Sequence, residues 1–236
     1  GSVITDYSVD ENVDGATVGV LTASDDDGDT LTYSLSGDDA AKFEVIDDAG
    51  VKKLALKSGE SLDHEAGGYD VTVTTSDGTL LDSINLTITA ADVNEAPTAV
   101  ALGNNTIAEN SAAGTLVGTL SATDEDDTSH SFLLVDGGDN DLFEIDGNQL
   151  KLAADVSLDH ETTTSYEITV TAKDSGDETT SATSITITVG DVNEAPVITA
   201  TAASFDENAT GAVVYNLSAS DVDGDFLTYS LSGLDQ

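Results

Sequence analysis

Apolar and polar residues alternate along this chain in short runs. Thr17-Val18-Gly19-Val20-Leu21-Thr22-Ala23, Leu31-Thr32-Tyr33-Ser34-Leu35, Phe43-Glu44-Val45-Ile46 and Lys53-Leu54-Ala55-Leu56 are the first four. Tyr69-Asp70-Val71-Thr72-Val73-Thr74 and Ile84-Asn85-Leu86-Thr87-Ile88 follow. A period of two in runs rich in Val, Ile, Thr and Tyr predicts half-buried strands. Gly67-Gly68 and Asp77-Gly78 punctuate them as turns. With a leading strand near Ser8-Val9, about seven short strands fall in the first 97 residues. No stretch carries a helical period. The pattern predicts an all-β fold, a seven-stranded antiparallel Greek-key β-sandwich.

The pattern then repeats. Asp10-Glu11-Asn12 recurs as Ala108-Glu109-Asn110 and Asp206-Glu207-Asn208, at a spacing of 98 residues (109 − 11 and 207 − 109). Leu62-Asp63-His64-Glu65 recurs as Leu158-Asp159-His160-Glu161, and Asp92-Val93-Asn94-Glu95-Ala96-Pro97 as Asp191-Val192-Asn193-Glu194-Ala195-Pro196. Asp25-Asp26-Asp27 aligns with Asp124-Glu125-Asp126 and Asp221-Val222-Asp223. This spacing is domain-sized, far longer than a solenoid or propeller unit. It divides the chain into a first repeat over 1–97, a second over 98–196 and the N-terminal part of a third over 197–236. The third repeat holds only its first three strands and cannot bury a core alone. The expectation is that this is the visible part of a longer protein, or that another chain supplies the missing strands.

Charge changes the picture more than composition does. The 236 residues carry 46 Asp and Glu against 6 Lys and no Arg, a net charge of −40. A body this acidic repels itself unless screened or neutralised, and it repels nucleic acid and anionic membranes. Disorder, adaptation to high salt and bound cations could each account for the acidity. The alternating apolar runs speak against disorder. Salt adaptation scatters carboxylates over exposed faces, whereas cation binding clusters them at fixed places, as the repeated motifs do. Cys is absent, which removes disulfides and leaves metal as the brace for small domains. There is no apolar run long enough to span a membrane, and no signal peptide is visible at the N-terminus.

Calcium takes six to eight oxygen ligands from carboxylates, amides and backbone carbonyls. Each repeat offers such groups in a Glu near the first strand, a mid-repeat Asp-x-Glu and an Asp-x-Asn-Glu linker, followed by an Asp-x-Asp in the next repeat. Loops gather at the two ends of a sandwich. A short linker ending in Pro would bring these groups to the junction between repeats. At this point the chain resembles the cadherin repeat in its bacterial, tandem surface-protein form. The motifs that carry the resemblance are the Glu near the first strand, Leu-Asp-His-Glu for the family's Leu-Asp-Arg-Glu, the linker, Asp-x-Asp and a late Asp-x-Gly.

The resemblance implies calcium ions, two to three at each junction, that stiffen the array. Carried over, the first ligand set is Glu11, Asp63, Glu65, Asp92, Asn94, Glu95, Asp124, Asp126 and Asp174, with backbone carbonyls from Val93 and Ala96. The second is Glu109, Asp159, Glu161, Asp191, Asn193, Glu194, Asp221 and Asp223, with carbonyls from Val192 and Ala195. Asp25, Asp27 and Asp77 at the free end of the first repeat form an incomplete set. The linker reads Asn-Glu-Ala where the family has Asn-Asp-Asn, and the longer Glu changes where an ion can sit.

Other chemistry is poorly supported. An EF-hand loop at Asp25–Asp29 or Asp221–Asp225 needs a Glu at its twelfth position, which is Ser36 or Ser232 here. Without Cys, a Gly-x-Ser-x-Gly elbow or a phosphate loop, no enzyme is expected. Carboxylate pairs that recur once per repeat fit ligand sets better than a glycosidase site. His64, His130 and His160 are expected to be solvent-facing filler. The function expected is a calcium-rigidified extender or adhesion module of a larger extracellular or cell-surface protein, a bacterial adhesin or surface fibre. The alternatives are a homophilic or polysaccharide-binding module, with like repeats or polysaccharide as partner, and a subunit of an ordered filament.

Overall fold

Along Tyr69–Ser76 every second side chain is buried: Tyr69, Val71, Val73 and Thr75 point inward. The same alternation builds the rest of the computed structural model, which describes residues 3–5, 9–135, 137–202, 204, 206–207, 210–211 and 215–233. The chain separates into two units, Gly1–Glu95 and Ala96–Gln236.

The first unit contains β1 (Val3–Thr5), β2 (Val9–Asp10), β3 (Thr17–Thr22), β4 (Thr32–Ser36), β5 (Phe43–Asp48), β6 (Val51–Leu56), β7 (Tyr69–Ser76), β8 (Leu81–Ile88) and β9 (Ala90–Ala91). One sheet runs β1-β3-β6-β5 and the other β4-β7-β8, while β2 pairs with β9. Val18, Phe43, Leu54, Leu56, Leu62, Val71 and Ile88 fill the space between the sheets. Ser8, the other half of the expected leading strand, lies outside the described residues.

The second unit repeats this plan with β10 (Ala99–Leu102), β11 (Thr106–Ala108), β12 (Leu116–Thr123), β13 (Ser131–Leu134), β14 (Phe143–Asp146), β15 (Gln149–Leu152), β16 (Ser165–Lys173) and β17 (Thr183–Gly190). Its sheets run β10-β12-β15-β14 and β11-β17-β16-β13. Val117, Leu120, Leu150, Leu152, Leu158, Ile168 and Ile187 are buried between them. Full burial of each such side chain contributes about 1.5–3 kcal/mol. Gly118 marks a register irregularity between β12 and β15. A Cβ there would lie 2.2 Å from the Asn104 carbonyl oxygen, so only glycine allows the approach.

The all-β tandem sandwich is as the alternation predicts. One detail of strand pairing departs from a wholly antiparallel plan. The leading strand divides in two, and its second part pairs in parallel with the last strand: β2 with β9, and β11 with β17. This pairing carries Glu11 and Glu109 to the end where each linker leaves the sandwich. The Glu11 N–H donates to the Ala91 carbonyl at 3.1 Å, and the Glu109 N–H to the Gly190 carbonyl at 2.9 Å.

Beyond the second linker, β18 (Val197–Ala202) and β19 (Tyr215–Ser220) form an antiparallel ladder with no further strand among the described residues. Leu227-Thr228-Tyr229-Ser230-Leu231 repeats the run that forms β4, yet it is not a strand. This corrects the expectation of three strands here. In the first unit β4 is held by β7, and the described residues contain no counterpart of β7 for 227–231.

Candidate metal centre

Glu109 is buried, with only 3% of its surface exposed, and its two oxygens face two different parts of the chain. Oε2 accepts the His160 N–H at 2.9 Å, and Oε1 accepts the Val192 N–H at 2.8 Å. These two donors hold the Glu109 carboxyl below its ordinary range against the opposing effect of burial. The His160 amide stands there because Leu158, two residues earlier, is fully buried in the core and pins the loop. The Asn110 N–H donates to the Leu158 carbonyl at 3.2 Å and closes the corner. Asn110 adopts φ 55°, a left-handed conformation that Asn tolerates better than most residues. From that position its Nδ2 donates to Glu194 Oε1.

Two groups of possible metal donors meet at this corner. Glu109, His160, Glu161 and Asp191 form one, and Glu161, Glu194 and Asp223 the other; donor atoms within each lie within 4.8 Å of one another. The Glu194 N–H donates to Asp223 Oδ2 at 2.8 Å, and Asp221 Oδ1 accepts the Asp223 N–H at 3.1 Å. The remaining oxygens, Glu194 Oε2 and Asp223 Oδ1, are buried and have no hydrogen-bond partner. Burial and then the charges of Glu109, Asp223, Glu161 and Asp191 push the Glu194 carboxyl above its ordinary range. Lysine does not relieve this crowding. Five of the six lysines pair with Glu60, Asp47, Asp48, Asp146 and Asp177 instead. The buried, unpartnered oxygens and the surrounding carboxylates fit a hard divalent cation such as calcium.

Some expected ligands lie outside both groups. Asp159 Oδ1 closes a turn by accepting the Thr162 N–H at 2.9 Å, and Asp221 shapes its own loop. The Asn193 Nδ2 folds back onto the Glu194 carbonyl at 3.1 Å. Val192 and Ala195 lie exposed in the linker, with the Val192 N–H committed to Glu109.

The first unit builds the same corner. Glu11 accepts the His64 N–H at 2.7 Å and the Val93 N–H at 2.8 Å. Asn12, at φ 62°, donates to Glu95 Oε1. Glu11, Glu65 and Asp92 bring donor atoms within 4.8 Å. Asp63 closes a turn at Ala66, and Asn94 bonds to the Glu95 carbonyl.

In the second unit, Asp124 Oδ1 accepts the Asp126 and Asp127 N–H groups, each at 2.9 Å. Burial opposes ionisation of Asp124, but those bonds and His130 hold its carboxyl below the ordinary range. Asp127 accepts the Ser175 N–H at 2.9 Å, beside the buried Asp174. Asp25 in the first unit accepts the Asp27 and Asp29 N–H groups, the pattern that Asp221 makes with Asp223 and Asp225.

Residues 104–190 match the family model described as "Cadherin domain". The chain is 31% identical over 248 residues to human protocadherin gamma-A12, covering 95% of this chain and 26% of that protein. It is 29% identical over 262 residues to mouse cadherin EGF LAG seven-pass G-type receptor 2, covering 97% and 9%. Among solved structures, the protocadherin gammaB7 EC3-6 cis-dimer gives a TM-score of 0.64 at 25% identity, over 94% of this chain and 60% of that one. Human protocadherin-24 EC1-2 gives 0.58 at 22% identity, over 80% and 99%. Residues 104–190 belong to the cadherin domain family, and the relatives the chain resembles over 95% or more of its length are cadherins.

Cadherin repeats are extracellular, adhesion-type modules, and the family binds calcium in general. The matched relatives are cadherins, not enzymes. This chain spans 9% and 26% of the two relatives' lengths. No described helix is long and apolar enough to cross a membrane.

Against the cadherin motifs, reading by residue type misses two features. Asn12 and Asn110 stand in the sequence only as repeat markers, yet each orients a linker Glu; their signal is an Asn directly after the Glu in every repeat. The histidines are also not uniform filler. The His130 side chain is 4% exposed and sits 3.2 Å from Asp124, while His64 Nδ1 lies 2.8 Å from the Ala90 carbonyl oxygen.

Proposed function

We propose that this chain is a calcium-rigidified extender within a larger secreted or cell-surface protein, a bacterial adhesin or surface fibre. Residues 1–97, 98–196 and 197–236 act as successive repeats, with two to three calcium ions at each junction. The buried, unpartnered Glu194 Oε2 and Asp223 Oδ1 carry the reading, because a bound cation would satisfy both together. Around them, Glu109, Asp159, Glu161, Asp191, Asn193 and Asp221 supply oxygen ligands, with the carbonyls of Val192 and Ala195. The first set, from Glu11 to Asp174 as given by its motifs, takes ions in the same way.

The mechanism is electrostatic. Without calcium, like charges crowd at each corner; with it, the ions tie the linker to the loops it joins. The test is thermal melting and solution scattering of the chain with calcium and with a chelator, for the wild type and Asp223→Asn. Calcium should raise the melting temperature and narrow the distribution of lengths, with a smaller effect in the variant. Identical melting and scattering in both conditions would reject the proposal.

A second reading is self-association through like repeats. Val197, Ile198, Phe226 and Leu231 expose large apolar side chains on the third repeat, which favours it. Sedimentation of the chain in calcium separates the two readings: a monomer at all concentrations leaves the extender alone.

A further inference from the structure

The same Asp-His-Glu motif places its two imidazoles differently. In the first unit His64 Nδ1 is 2.8 Å from the Ala90 carbonyl oxygen, so that nitrogen carries the proton and donates. The donor group there is Glu11, Glu65 and Asp92, with no imidazole. In the second unit His160 Nδ1 lies 3.3 Å from Glu161 Oε1, within hydrogen-bonding reach, and the His160 ring belongs to one donor group with Glu109, Glu161 and Asp191.

An imidazole changes which ion the group prefers. Calcium selects oxygen, whereas imidazole with carboxylate suits zinc and its neighbours in the first transition row. Tetrahedral zinc with ligands at about 2.0 Å sets adjacent donors about 3.3 Å apart. The His160–Glu161 separation already has that value. Glu109 is anchored by two backbone N–H groups, and the exposed Glu161 and Asp191 can close onto an ion from the solvent side. A second observation points to a cation at this corner: Glu194 Oε2, buried and unpartnered, belongs to the adjoining group that shares Glu161.

We propose that Glu109, His160, Glu161 and Asp191 bind a divalent transition ion of the zinc class through His160 Nδ1, in competition with calcium for the three carboxylates. In the first unit Glu11, Glu65 and Asp92 gather without an imidazole, and His64 Nδ1 is committed to the Ala90 carbonyl. The proposal rests in part on the calcium reading, since both use these carboxylates and the buried Glu194 Oε2.

The test uses the whole chain, freed of metal and titrated with zinc by calorimetry and with cobalt by visible absorption. His160→Gln and His64→Gln are titrated beside it, and histidine ring nitrogens are followed by NMR in the wild type. One site per chain should weaken at least about tenfold in His160→Gln and stay unchanged in His64→Gln, since even outer-shell changes cost metal sites 10–100-fold. The His160 ring nitrogen should shift on zinc addition, and excess calcium should displace the zinc. Equal zinc affinity in the wild type and His160→Gln, equal losses in both variants, or an unshifted His160 ring would each overturn the proposal. Calcium-dependent melting, measured separately, decides the extender reading whichever way zinc falls.

Discussion

Glu109 Oε1 accepts the backbone N–H of Val192 at 2.8 Å, joining residues 83 positions apart in the chain. Its other oxygen takes the His160 N–H, so one carboxylate ties the first strand, the mid-repeat motif and the linker together. Glu11 does the same for His64 and Val93. Glu11 and Glu109 are therefore structural ties before they are ligands, and this separates what their loss should do from what calcium does.

Glu11→Ala leaves two backbone N–H groups without their acceptor. It should lower stability by about 1–3 kcal/mol, measured by urea unfolding in a chelator. A loss of the same size in chelator and in calcium marks the structural part; any excess in calcium marks the ligand part.

Leu158 is fully buried and holds the loop that carries Asp159, His160 and Glu161. Leu158→Ala should cost about 2–5 kcal/mol and weaken calcium binding as well. Calorimetry on the folded variant reads the second effect.

Asn110→Ala removes the donor to Glu194 and places an alanine at φ 55°. Asn110→Gly removes the donor but keeps the backbone unstrained. Alanine should therefore be the less stable by about 1–2 kcal/mol, while both variants lose calcium affinity equally. Matching denaturation curves for the two would remove backbone strain from the explanation.

Glu194 and Glu109 should titrate on opposite sides of the ordinary glutamate range in the calcium-free chain. Glu194 is raised, so the native state holds its proton more tightly and stability falls as pH climbs from the ordinary range through the raised value. Glu109 is lowered, so its stabilisation is present above the ordinary range and is lost as pH falls through the lowered value. Glu194→Gln should therefore melt higher than the wild type in chelator at neutral pH, yet respond less to calcium. A variant that melts lower in chelator would show that the Glu194 charge is not crowded.

Much of this was legible in the residues. The period-two runs place nearly every strand of both sandwiches, because half-buried strands need that alternation. The repeated carboxylate motifs name the corner residues. The failures have particular causes. Residues 227–231 have the composition of β4 but no strand to pair with among the described residues, and pairing is not a local property. His130, read as filler, is buried beside Asp124, and His160 Nδ1 meets Glu161 whereas His64 Nδ1 meets the Ala90 carbonyl. Ring orientation depends on neighbours that a motif does not contain.

The sequence by itself determined the class of fold, the repeat and the set of acidic residues, since each rests on local pattern or residue type. Only the tertiary structure decided which of those acids meet. The parallel pairing of β11 with β17 brings Glu109 to Asp191, and the buried Leu158 presents His160 and Glu161 beside them. Contacts across so many residues are set by how two sheets close on a shared core. Glu194 and Asp223 are left with buried oxygens that no described residue satisfies.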